Sequence, residues 1–200
     1  TSDVDEGVYN FYITGEATDG IVSNTSDNGC GSLRDVLAKA SAGDTIRFSE
    51  TIASDTIKLT SGEILLDKDV TIVGNSTSRT IIDGQANSRV IQVSSGVNAF
   101  LDSLIIQNGN ATVQGAGIMN SGNVVMKASI IRNNTTTADG GGIATQGDFK
   151  IYNSYLQGNT GNGGGAIQVM NNDLDVYNTQ ISGNKASHGG GVNNSGGTIR

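Results

Sequence analysis

Asp173 and Asp175 stand two residues apart, so on an extended strand their carboxylates share one face. Paired carboxylates are the raw material of glycoside hydrolysis, which sets one on each side of a scissile bond, and of calcium binding by oxygen ligands. Neither pattern is completed around them. Asp139 and Asp148 are the nearest other acids, and the acids read as scattered rather than stacked. The arginines, at 34, 47, 79, 89, 132 and 200, are scattered too. His188, the one histidine, stands before Gly189-Gly190 and reads as an exposed turn residue. The calcium-binding nonapeptide Gly-Gly-x-Gly-x-Asp is absent, because Gly163-Gly164-Gly165 runs into Ala166-Ile167. Thr135-Thr136-Thr137 is not repeated, which argues against a flat ice-binding threonine array. Cys30 is the only cysteine, so no intramolecular disulfide forms. No catalytic residue, cofactor or metal is expected.

The elements that carry these residues belong to a repeat. Ile106, Ile131, Leu156 and Ile181 are each 25 apart, as are Val124, Phe149, Leu174 and Ile199. Met126, Ile151 and Val176 keep the step, and so do Gly115, Gly140, Gly165 and Gly190. Asn134, Asn159 and Asn184 form a further column. A fixed period of this size is the signature of a solenoid, whose repeats bury apolar residues against their neighbours. Within one repeat, Ile130-Ile131, Ile143 and Phe149-Lys150-Ile151 are short apolar pieces separated by Asn- and Gly-rich turns. The pairs Phe149/Ile151 and Leu174/Val176 alternate with strand spacing. Glycine triplets would cost a helix about 1 kcal/mol per residue relative to Ala. Three strands and three turns in 25 residues describe one coil of an all-β, right-handed parallel β-helix. The Asn column is expected to be a structural ladder of stacked amides. The small column Ala116, Gly141, Ala166 and Gly191 is expected to let coils approach closely.

Bulk properties agree. Hydrophobic residues are 36%, Gly numbers 29, and Trp and Pro are absent. A narrow aliphatic stack with Gly and Asn corners explains this without disorder. The net charge of −7 argues against nucleic acid, which needs a basic face. No apolar run approaches the roughly 18 residues of a membrane span, so no membrane insertion is expected. Few basic residues and abundant Asn, Ser, Thr and Gly read as a secreted or cell-surface protein. The chain starts at Thr1 without an apolar leader, as after signal-peptide removal or trimming.

Residues 1–31 are expected to be an N-terminal strand and loop. Val8, Tyr9, Asn10, Phe11, Tyr12, Ile13 and Thr14 form the strand, a lid on the first coil or an arm exchanged with another subunit. Gly20 to Gly31 reads as loop. Residues 32–200 are the β-helix. Ser32 to Ala40 is its capping helix, with Leu33, Val36, Leu37 and Ala40 in one stripe, Ser32 as N-cap and Asp35 three residues on. Strands follow around Ile46, Ile57, Ile64–Leu66, Val70–Val73, Ile81-Ile82, Val90–Val93 and Phe100-Leu101. Ile57 to Ile82 and Val93 to Ile118 are again steps of 25, so about six coils are expected, about 30 Å long at the spacing of parallel strands.

Cys30-Gly31-Ser32-Leu33-Arg34-Asp35-Val36-Leu37 followed by Gly43-Asp44-Thr45-Ile46 resembles the opening motif of bacterial secreted right-handed β-helix proteins. Asp83-Gly84 matches their Asp-Gly turn, and Gly31 is an insertion relative to them. Leu156 to Asn159 with Gly164-Gly165-Ala166-Ile167 resembles the repeats of polymorphic outer-membrane proteins and adhesins. The resemblance covers about residues 28–200 and implies the β-helix fold. The same fold hosts pectin-lyase-like enzymes, but their Arg or Lys base with clustered Asp is not matched, and His188-Gly189 lacks the companion motifs of polygalacturonases.

The last strand, ending Thr198-Ile199-Arg200, is followed by no capping helix. Three readings are open: a fragment of a longer protein, a bare end solvated by Arg200 and the exposed asparagines, or head-to-tail self-association into a filament through Val192, Ile199 and the arm residues Val8, Tyr9, Phe11, Tyr12 and Ile13. The expected function is therefore a non-enzymatic structural or adhesive protein, with itself or surface glycans as partner. The alternative is a carbohydrate-active or glycan-binding protein. Asn-x-Ser/Thr sequons at Asn24, Asn75, Asn110, Asn133, Asn134 and Asn193 allow glycosylation.

Overall fold

The computed structural model describes residues 19–52 and 54–200. The chain winds as a parallel β-solenoid of about seven turns, with about 25 residues per turn. Each turn visits three sheets. Sheet A stacks eight strands: Asp19–Val22, Thr45–Phe48, Val70–Val73, Asn98–Asp102, Asn123–Lys127, Phe149–Tyr152, Asn172–Tyr177 and Gly197–Ile199. Sheet B stacks six, from Thr56–Lys58 through Ile130–Arg132 to Gln180–Ser182. Sheet C stacks another six, from Ile64–Leu66 through Ile143–Thr145 to Val192–Asn194.

Inward side chains stack in columns because in-register parallel pairing sets each residue over its counterpart. Ile46, Ile72, Leu101, Met126, Ile151 and Val176 pair in succession on sheet A. Ile57, Ile82, Ile106, Ile131, Leu156 and Ile181 do so on sheet B. Full burial of each such side chain contributes about 1.5–3 kcal/mol. These columns are the core.

Two expected registers are corrected. Val93 pairs with Asn120, and Ile118 pairs with Ile91, so the step of 25 from Val93 to Ile118 is not a rung. The early turns carry longer loops. The glycine column also slips: the left-handed glycines are Gly115, Gly140, Gly164 and Gly189 rather than Gly165 and Gly190. Ile143 accordingly pairs with Ile167, 24 residues on. The turn after the Asn column is one residue shorter from Asn159 onward, and the turn from sheet C to sheet A is one longer. The two changes cancel, and the glycine triplet hides them. The close-approach column therefore runs Ala116, Gly141, Gly165 and Gly190.

The N-terminal end adds a rung that the expectation of six coils omitted. Asp19–Val22 runs into the stretch Gly20 to Gly31 expected as loop, yet it pairs in parallel with Thr45–Phe48. Val22 is fully buried. This strand stands on the N-terminal side of the boundary placed at residue 31 and is already part of sheet A. Four residues are too few to display a period. Residues 1–18, and with them Val8, Tyr9, Phe11, Tyr12 and Ile13, lie outside the described residues.

The helix spans Leu33–Lys39, with Ser32 accepting from the Asp35 N–H. Leu33 and Leu37 are buried against the first coils. Asp35 completes the cap one residue earlier than in a standard capping box: its Oδ2 accepts from the Gly31 N–H at 2.8 Å. Gly31 has φ 76°, and a Cβ there would lie 2.2 Å from Ser23 Oγ, which explains the inserted glycine. Lys68 Nζ donates to the carbonyls of Leu37 and Ala40, satisfying the helix C-terminus.

Asp27 fastens this cap to the first coil. It accepts from Arg34 Nε at 2.8 Å and from the backbone N–H and side-chain hydroxyl of both Thr60 and Ser61. Burial pushes its pKa up, but hydrogen bonds from Ser61, Arg34 and Thr60 together outweigh burial and lower it from 3.8 to about 2. A depressed folded-state pKa means that its stabilisation is complete above pH 3.8 and is lost as pH falls towards 2. Urea denaturation of the chain and of Asp27→Asn between pH 5 and pH 2 should show a smaller loss of stability in the variant.

At the corner from sheet A to sheet B, Arg79, Ser103, Ala128, Asn153 and Asn178 all have positive φ, from 44° to 59°. Asn tolerates this region, whereas an alanine bears a cost of about 1–2 kcal/mol. Ala128→Asn should raise unfolding stability by about 1 kcal/mol, measured as a higher urea midpoint with an unchanged slope.

Candidate functional site

The repeating polar residues form ladders. Asn134 Nδ2 donates to Asn159 Oδ1 at 3.0 Å, and Asn159 Nδ2 to Asn184 Oδ1 at 2.9 Å. The same oxygens accept from the backbone N–H of Asn134 and Asn159, and the Asn134 oxygen from that of Gly109. Each amide also donates inward, to the carbonyls of Ile106, Ile131 and Leu156. Asn134 and Asn159 are fully buried, so the ladder is an internal brace. It starts at Asn134 because the preceding coil has Gly109, where a Cβ would lie 2.1 Å from the Ala116 carbonyl. Asn134 is thereby ruled out as an accessible glycosylation acceptor.

A second ladder was not read from the sequence. The Ser129 hydroxyl accepts from the Leu104 N–H, Ser154 from Ser129 N–H, and Thr179 from Ser154 N–H. Each hydroxyl donates to the carbonyl two residues back, at Lys127, Tyr152 and Tyr177. The signal was present, because Ser129, Ser154 and Thr179 are 25 apart.

The residues first considered for chemistry are engaged structurally. One correction concerns the acids: Asp148 and Asp173 do stack, the Asp173 N–H donating to Asp148 Oδ1 at 3.1 Å. Arg200 pairs with Asp173 at 2.5 Å and with Asp175 at 3.5 Å, and Lys150 lies 3.6 Å from Asp175. The Arg200 hydrogen bond holds Asp173 below the usual carboxylate range. Asp139 accepts from the Gly163 N–H. Thr136 is buried, and its hydroxyl donates to Val113 O. His188 is exposed, and its carbonyl accepts from the Gly164 N–H. Arg89, nearly buried, ties Glu63, Gln92 and the carbonyls of Gln114 and Gly115 together. Among the described residues, no three of His, Cys, Asp and Glu gather as a metal would require.

The assembly residues within the described range continue inward columns. Val192 follows Ile167 and is half-buried; Ile199 follows Leu174 and is 43% exposed.

One surface that gathers polar side chains is the corner between sheets A and B. There a groove of about 730 Å³ is lined by Arg79, Asn153, Tyr155, Asn178, Thr179 and Gln180, among others. The left-handed backbone turns the corner outward, and Asn153 and Asn178 are exposed. Asn178 Nδ2 donates to Asn153 Oδ1 at 2.7 Å. Arg79 comes from an earlier coil, and its Nε–H donates to the Ala128 carbonyl at 2.6 Å, passing over the rung of Ser103. Tyr155, 43% exposed, stands on the sheet B side. Tyr152 and Tyr177 stand on the sheet A side, with ring centroids 4.9 Å apart and planes within 5°. Asn153/Asn178, Ser154/Thr179 and Tyr155/Gln180 keep the 25-residue step; Arg79 reaches the groove through a long side chain that no period reports.

The fold defines the class as a parallel β-solenoid. No family model, no curated protein and no solved structure matches this chain.

Replacing Asn159 by Ala removes the acceptor of Asn134 Nδ2 and leaves buried groups unpaired. It should cost about 3 kcal/mol of unfolding stability. The exposed Asn153→Gly should change stability by less than about 1 kcal/mol, since Gly tolerates the left-handed backbone. Paired urea titrations measure both.

Proposed function

We propose that this chain is a non-enzymatic structural and adhesive solenoid, displayed outside the cell or on its surface. The observation that carries the reading is where its regularity lies. Inward columns repeat from coil to coil, whereas outward columns change. The outward column of sheet A runs Thr71, Phe100, Val125, Lys150 and Asp175. That of sheet B keeps isoleucine at 81, 105 and 130 and then changes to Tyr155 and Gln180. The repeat thus serves the architecture, and the outer faces are free to differ, as suits a scaffold that contacts other surfaces through local patches.

The acids and bases read for catalysis support the same view. Asp173, Asp175, Lys150 and Arg200 neutralise one another across rungs of one sheet face, rather than opposing each other across a cleft as glycosidase carboxylates do. Head-to-tail self-association and recognition of surface glycans are the two ways such a scaffold would act. The lateral groove favours the second.

The test pairs turnover with adhesion. Incubation with plant and bacterial polysaccharides should release no reducing ends or unsaturated products above a heat-denatured control. The immobilised chain should retain cell-wall particles over an albumin-coated surface. Release of product, or equal retention on both surfaces, overturns the proposal.

A further inference from the structure

The geometry points to the corner groove between sheets A and B as a binding site for an extended glycan chain lying along the solenoid axis. The inference rests on the adhesive reading and names its ligand class.

The groove recognises through side chains. The backbone of this corner is bonded from rung to rung: the N–H groups of Ser103, Ala128 and Asn153 donate to the carbonyls of Lys127, Tyr152 and Tyr177 at 3.1 Å each. A peptide added as a strand would need unpaired backbone groups, and these three N–H groups are already bonded. What projects outward is a row: the Arg79 guanidinium beside Ala128, then the Asn153 amide, then the Asn178 amide. An amide both donates and accepts, which matches hydroxyl groups that do the same. Gln180 and Thr179 extend this hydroxyl-binding set on the sheet B side. Tyr155, which lines the groove, supplies an aromatic face for the C–H surface of a sugar ring.

The spacing selects a chain rather than a single sugar. Successive rungs repeat at about 4.8 Å, close to the length of one pyranose ring. A linear glycan parallel to the axis would therefore meet one corner side chain per sugar. Nucleic acid is a poor fit, because the chain carries a net charge of −7 and the row offers one guanidinium. That guanidinium leaves two glycan classes, neutral and uronate-bearing, which share the ring and hydroxyl chemistry.

Isothermal titration calorimetry with cellohexaose, chitohexaose and hexagalacturonate tests the site. At least one should bind the intact chain. Tyr155→Ala, and the double variant Asn153→Gly with Asn178→Gly, should each weaken that binding at least tenfold. These side chains are exposed, and Gly accepts the corner backbone, so the variants should remain folded, as circular dichroism would verify. Leu65→Ser, on the outer face of sheet C, should bind like the intact chain. Arg79→Gln should weaken hexagalacturonate more than the neutral chains if a carboxylate is read, and all equally if only hydroxyls are. Binding of none of the three, or binding unchanged in the Tyr155 and Asn variants, overturns the inference. Retention of cell-wall particles without oligosaccharide binding would leave the adhesive reading standing and remove only this site.

Discussion

Everything in this chain depends on one constraint: each coil must lay its backbone N–H and C=O groups over those of the next. In a parallel stack the bonds run along the axis, so a residue is fixed by the residue one rung away rather than by its sequence neighbours. Buried backbone groups left unpaired would each cost on the order of 1–3 kcal/mol. Columns follow from this, and so do the identities within them. Aliphatic residues fill the interior, and Gly or Asn turns the corners. An inward polar position can be repeated in the next coil, as in Asn134, Asn159 and Asn184, or satisfied locally, as Thr145 is by the Gly147 carbonyl beneath Val169.

That constraint explains which parts were legible in the sequence. Interior columns repeat because each rung needs the same shape, so Ile131 and Leu156 announce their neighbours. The helix was legible from its stripe and its Ser32 cap. Sheet C was not legible beyond Ile118 and Ile143, because a residue lost in one turn is regained in another. The triplet Gly163-Gly164-Gly165 offers three equivalent registers to the eye, which the φ angles and the pairing of Ile143 with Ile167 distinguish. Asp19–Val22 escaped notice because a short edge strand is recognised by what it pairs with. The groove was least legible, since Arg79 enters it by spanning two rungs.

The distribution of charge follows the same logic. Along a rung-stacked face, like charges in register would repel, so Lys150 over Asp175 and Arg200 beside both acids settle the face electrostatically. The stacked pair Asp148 and Asp173 is tolerated because the backbone N–H of one donates to the carboxylate of the other, and Arg200 offsets the second charge. These ion pairs and the bond to the Asp148 carboxylate tie the last rungs of sheet A together.

The asparagine ladder also has a direction. In both amide-to-amide bonds the nitrogen belongs to the earlier coil and the oxygen to the later one. The side-chain dipoles therefore add rather than cancel, and each bond polarises the next. Across the three coils from Asn134 to Asn184 the solenoid thus carries a line of aligned amide dipoles, an electrical vector parallel to its axis.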